Sequence, residues 1–258
     1  MIGSIPLGAP MLGPKAPAER GALRLRFGET GATRRDALRA TAVCAGLFVL
    51  TYAVLWALFY PALANGEKQI VAAVRNAAVA SGVAAFGMAF ATAYKPRLTR
   101  LTAPATATLG GAFAGGLALA FEQRYPGIAM QSIGVTTRAR AVLIGGYTTG
   151  LINVTARFRA AAMAGAATIA VVYLARLLLL LLDMRLPVIH GGGWGAVLWT
   201  GFIALIASLN FAVDLERIDK IEDRQMPAVG AWYVALATTT FVWLYISILR
   251  RVARARGA

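Results

Sequence analysis

Seven long apolar runs divide this chain, at residues 38–60, 72–94, 103–122, 128–150, 160–182, 194–213 and 229–249. A helix needs about 20 mostly apolar residues to cross a hydrocarbon layer of about 30 Å, and each run meets that length. In hydrocarbon a helix satisfies its own backbone hydrogen bonds, which an open strand or a lipid-exposed loop cannot do. A transmembrane barrel would instead carry alternating segments of about ten residues, and the sequence has none. Short polar connectors, such as Lys95-Pro96-Arg97 and the stretch 214–224, separate the runs. The pattern predicts an all-α, polytopic membrane protein with seven transmembrane helices.

Composition narrows the function classes. The chain is 59% hydrophobic and 14% charged, against 45–50% and about 25% for soluble domains. Seven spans would occupy most of its 258 residues, leaving no room for a separate soluble catalytic domain. The single cysteine, Cys44, lies inside an apolar run and can form neither an internal disulfide nor a Cys-based zinc site. The single histidine, His190, sits in the connector 187–193 without a second ligand nearby, so no metal or cofactor is expected. Neither HExxH nor GxSxG occurs, and Gly191-Gly192-Gly193-Trp194-Gly195 lacks the Lys-Ser/Thr of a phosphate loop. These features do not describe an enzyme.

The net charge of +15 would point to nucleic acid in a soluble protein. Here the basic residues flank apolar runs, as membrane orientation and anionic-lipid attraction require. The expected partner is the lipid bilayer, not nucleic acid. Residues 1–37 hold four prolines and six basic residues with no sustained apolar run. They read as a disordered, basic cytoplasmic tail without a secretory signal. The membrane domain follows over 38–250, and 251–258 is a second basic tail. With the N-terminus cytoplasmic, 15 Lys and Arg lie on that side, from the tail through Arg39 to Lys95, Arg97, Arg100, Arg157, Arg159, Arg217, Lys220 and Arg224. Only Lys68, Arg75, Arg124 and Arg185 fall opposite them. The count favours an N-terminus inside, and the lack of a secretory signal together with the 26 Lys and Arg points to a bacterial inner (cytoplasmic) membrane. Seven spans also place Arg250, Arg251, Arg254 and Arg256 outside, against the same rule.

Ionisable groups at membrane depth cost about 2.5–3.5 kcal/mol each and are functional candidates by default. Arg138 and Arg140 fall mid-way along the fourth run; roughly 200° apart around a helix, they cannot face one partner. Glu122 closes the third run and Asp214 the sixth, either as interfacial charges or as acids lining an ion path. Glu216 is expected in the loop that follows. The Gly111–Gly115 register in the third run and the similar stretch 78–87 are helix-packing signals that do not say whether the partner belongs to the same chain.

From Lys95 onward the chain resembles the Bax inhibitor-1 / YccA family, in a bacterial branch. The resemblance rests on Pro96-Arg97-Leu98 with Thr102-Ala103-Pro104, then Phe121-Glu122-Gln123-Arg124-Tyr125-Pro126-Gly127-Ile128 and Gln131. It continues through Thr149-Gly150-Leu151-Ile152-Asn153-Val154-Thr155, Phe158-Arg159 and Val213-Asp214-Leu215-Glu216-Arg217-Ile218-Asp219. It closes on Trp232-Tyr233 and Thr240-Phe241-Val242-Trp243-Leu244-Tyr245. The resemblance implies six helices around a central last one, a pH-sensitive leak of Ca²⁺ or another small ion, and modulation of a membrane-bound protease. It implies acids facing one another between the sixth and seventh helices. Two such carboxylates share a proton and switch with pH.

Asp214 matches the sixth-helix acid by position. The seventh-helix acid falls at Ser247, and two further glutamates of the branch fall at Gly110 and Ala231. Divalent cations want oxygen ligands, several of them carboxylates, whereas Arg138 and Arg140 favour anions. Two functions therefore stand: an ion leak controlled through Asp214, with Ser247 and Glu122 along its path, or a non-conducting membrane protein that binds a protease or another integral partner.

Overall fold

A computed structural model describes residues 31–181, 194–223, 228–238, 245–246, 248–250 and 252–253. The described residues are helical almost throughout, with seven α-helices, one in each apolar run. These are α1 (Arg34–Ala64), α2 (Lys68–Tyr94), α3 (Thr99–Glu122), α4 (Ile128–Thr148), α5 (Ala156–Leu181), α6 (Trp194–Asp219) and α7 (Val229–Thr238). Helical residues recur at 245–246, 248–250 and 252–253. Four of the helical stretches are long and apolar enough to cross a membrane: Arg34–Ala64, Lys68–Thr92, Pro96–Glu122 and Leu198–Asp219. The α4 helix carries Arg138 and Arg140 near its middle, which lowers its hydropathy, and α7 is described over ten residues only.

Local chemistry sets the helix ends. Thr33 and Asp36 form a reciprocal capping box at the start of α1: the Thr33 hydroxyl accepts from the Asp36 N–H, and the Asp36 carboxylate accepts from the Thr33 N–H. The α3–α4 turn passes through Gly127 at φ 80°, a left-handed conformation that a side chain disfavours.

Small residues let α3 sit between α1 and α2. Gly111 lies against the Phe48 carbonyl of α1 so closely that a Cβ would overlap it. Gly115 meets the Tyr52 backbone, which a Cβ would approach to 3.4 Å. On the other side Gly116 closes onto Ala78 and Val74 of α2, while Gly82 of α2 leaves room for the Phe113 ring. The Gly111–Gly115 register and the 78–82 part of its counterpart are therefore packed within this chain. Gly87 faces open space.

The contacts also fix helix directions. Thr92 and Thr102 hydroxyls meet at 2.7 Å at one end of the α2–α3 pair and Val74 meets Gly116 at the other, so the two run antiparallel. The α5 and α6 helices are antiparallel as well: Arg159 meets Glu216, the Asn210 amide donates to the Ala162 carbonyl, and Gly165 touches Ile206. Along α7, residues 231 and 234 pack with Ala37 and Ala235 packs with Ala40 and Cys44; among the helical residues described after it, Tyr245 and Leu249 pack with Phe48. The last helical segment thus runs parallel to α1 and α3. Its later residues reach Ile128 and Ala129, at the end of the bundle away from Arg34. Val234, Ala235 and Leu236 are all buried, and three consecutive positions sweep about 200° of a helix. The segment is enclosed by α1, α3 and α6, with the first turn of α4 below it.

Candidate functional site

The end of the bundle that carries the start of α1 also carries the end of α6, and ionic groups gather there. A helix C-terminus bears partial negative charge, so carboxylates placed in its last turns need cations. The sequence supplies them at helical spacing. Asp214 Oδ1 accepts from Arg217 Nη1 at 2.8 Å, three residues on, and Glu216 Oε1 accepts from Lys220 Nζ at 2.8 Å, four residues on. A cation from a different helix completes the set: Arg159 of α5 donates from Nη1 to both Glu216 oxygens, at 2.7 and 2.9 Å. At the rim, Arg34 Nε donates to Asp219 Oδ1 at 2.9 Å, and the Arg34 N–H donates to Glu222 Oε1 at 2.8 Å. The first turn of α1 is thereby tied to the end of α6.

Asp214 and Glu216 are each only 2% exposed. The expectation that Glu216 lies in a loop is corrected: α6 continues to Asp219, and Glu216 is among its most deeply buried residues. The two carboxylates lie two residues apart on one helix, so they diverge by roughly 200° and each has its own cation. This is an ion-pair network, not a proton-sharing carboxylate pair. Among the described residues no group of three or more His, Cys, Asp or Glu side chains comes together.

The other residues singled out from the sequence lie elsewhere. Glu122, at the far end of α3, caps α4: its carboxylate accepts from the N–H groups of Gly127 and Ala129. That is the anion expected at a helix N-terminus. Ser247 lies outside the described residues. Gly110 is buried on α3, and Ala231 is buried with Ile218, Ile221 and Val234 in an apolar cluster. The places that resemblance would give to two glutamates are therefore occupied by small packed residues. Arg140 points inward, its guanidinium 5.2 Å from the centre of the Phe211 ring of α6. Arg138 points outward and is exposed.

One polar pair was not foreseen. Tyr52 and Tyr245 share a hydrogen bond of 3.0 Å between hydroxyls, edge to face, where α1 meets the last helical segment. Trp56 and Tyr60 extend the stack one turn at a time along α1. The i, i+4 spacing of Tyr52, Trp56 and Tyr60 was legible in the sequence; the partner 193 residues away was not.

A family model described as Bax inhibitor 1 like matches residues 14–257, and the chain belongs to that family. No curated protein and no solved structure matches the chain.

Proposed function

We propose that this member of the Bax inhibitor 1 like family is a seven-span protein of the cell inner membrane with a cytoplasmic N-terminus, and that it provides a pH-dependent leak for Ca²⁺ or another small ion under the control of Asp214. The observation that carries the reading is the Asp214–Arg217 ion pair, with its carboxylate buried near the end of an apolar helix. Removing a carboxylate from water is costly, and a chain that keeps one there has a use for it. In this reading, losing the Asp214 charge removes the pair's attraction and leaves Arg217 to find other acceptors, which is how the end of α6 would control the leak. The alternating helix directions support seven crossings. With α1 starting in the cytoplasm, the basic connectors Lys95, Arg97, Arg157 and Lys220 fall on the same side.

A second reading is favoured by a specific observation: Gly110 and Ala231 are packed where acids would otherwise stand. In that reading the protein conducts nothing and modulates a membrane-bound protease or another integral partner.

Ion flux into proteoliposomes, read with a Ca²⁺ indicator at mildly acidic and mildly basic pH, separates the two. The leak reading expects wild-type flux that changes with pH, and a changed dependence in Asp214→Asn. Flux only in Ser247→Glu means that this chain has lost the switch. No flux in any variant overturns the leak and leaves the interaction protein.

A further inference from the structure

The α4 helix is the least embraced of the first four, and its outward face is unusual. Arg138 stands ten residues after Ile128 and ten before Thr148, about 15 Å from either end of the helix. It is exposed, between Val135 and Val142, which are also exposed. Among the described residues it has no hydrogen-bond or ion-pair partner, whereas Arg140 is turned inward onto Phe211. If α4 crosses the bilayer, the Arg138 guanidinium lies mid-way through hydrocarbon, too deep for its side chain to reach either headgroup layer unaided.

The residues around it form a seam. Gln131, Gly134, Arg138, Ala141 and Gly145 follow one another at steps of three and four, the 3.5-residue period of two helices packed along one line. All five are exposed or half-buried. A Cβ on Gly134 or Gly145 would meet nothing within 4 Å, in contrast to Gly82, Gly111 and Gly116, whose space is filled by neighbours in this chain. Small residues admit a second helix closely, and a polar group among them gives it a fixed partner in lipid.

We infer that the α4 face centred on Arg138 is the docking surface for a transmembrane helix of another protein that carries a carboxylate at mid-bilayer. Charge decides the occupant. None of this chain's 11 acids falls in the middle of an apolar run, so a second copy offers no complement at that depth. The inference rests on α4 crossing the membrane, as the seven-span reading requires, and not on whether the protein conducts.

The test uses the full chain, fluorescently tagged at its C-terminus and reconstituted in bilayers at mildly basic pH. The probe is a labelled polyleucine transmembrane peptide with one central glutamate, beside its central-alanine counterpart, and association is read by energy transfer. The glutamate probe should bind wild type about fivefold or more tightly than the alanine probe. Arg138→Leu should abolish that preference and Arg138→Lys should retain part of it. Equal binding of the two probes, or an unchanged preference in Arg138→Leu, overturns the inference. So does Arg138-dependent enrichment of a labelled anionic phospholipid with no discrimination between the peptides, since the partner is then a lipid. A single cysteine at Val142→Cys, in a Cys44→Ser background, tests the premise separately. Its labelling by a membrane-impermeant maleimide would mean that α4 does not cross, and both readings would fall together.

Discussion

Replacing Glu216 by Gln probes the tie between α5 and α6 while keeping the side chain's shape. The carboxylate accepts three hydrogen bonds from two cations, Arg159 and Lys220. Two unit charges 4 Å apart attract by about 4 kcal/mol at an effective dielectric of 20. Solvent reduces that figure here, because the Arg159 side chain is 34% exposed and that of Lys220 is 50% exposed. Glu216→Gln weakens both interactions at a buried acceptor and should cost about 2–3 kcal/mol. Arg159→Gln leaves the carboxylate with Lys220 and should cost about 1–2 kcal/mol. Lys220→Gln removes a surface pair and should cost less than about 1 kcal/mol. The order is the substance of the prediction: Glu216, then Arg159, then Lys220. Reversible unfolding in mixed micelles, followed by tryptophan fluorescence, measures it. A double-mutant cycle between Glu216→Gln and Arg159→Gln should return a coupling of about 1 kcal/mol or more. A Lys220 variant as damaging as the Arg159 variant, or a Glu216 variant indistinguishable from wild type, would refute the interhelical pairing.

Gly111→Ala should destabilise the bundle by about 1–3 kcal/mol, because the new methyl meets the Phe48 carbonyl and backbone cannot step aside. Gly87→Ala, which enters open space, should be neutral or stabilising by up to about 1 kcal/mol, and the same unfolding measurement compares the two. Glu122→Ala should cost about 1 kcal/mol by uncapping α4, visible as faster hydrogen exchange at Ala129.

The course of the backbone was legible because apolar run length is a direct physical requirement of the bilayer. Each run from 38–60 to 229–249 overlaps one of the described helices. The opposite facing of Arg138 and Arg140 was legible for an equally simple reason, the 100° step of a helix. What the runs conceal is where a helix stops once it turns polar. Hydropathy falls after Val213, yet α6 persists to Asp219 because Asp214–Arg217 and Glu216–Lys220 pair along its surface. Those spacings were readable; the third partner, Arg159, was not, since it arrives from 57 residues away. The role of Glu122 was hidden similarly. Its position at the end of a run fits a path-lining acid as well as a cap, and only the direction of the Gly127 and Ala129 N–H groups reveals the cap. Small-residue stripes carry the same ambiguity: Gly111 is filled from within the chain and Gly134 is open, though both sit in apolar runs.

The enclosure of the last helical segment bears on how the protein is made. Translation delivers α1 to α6 first, and the segment that fills the space among α1, α3 and α6 emerges after all of them. Until then the apolar faces around Ala40, Cys44, Ala103 and Ala107 have lipid tails or one another for company. The space among α1, α3 and α6 is therefore filled only after all three helices that border it have been made.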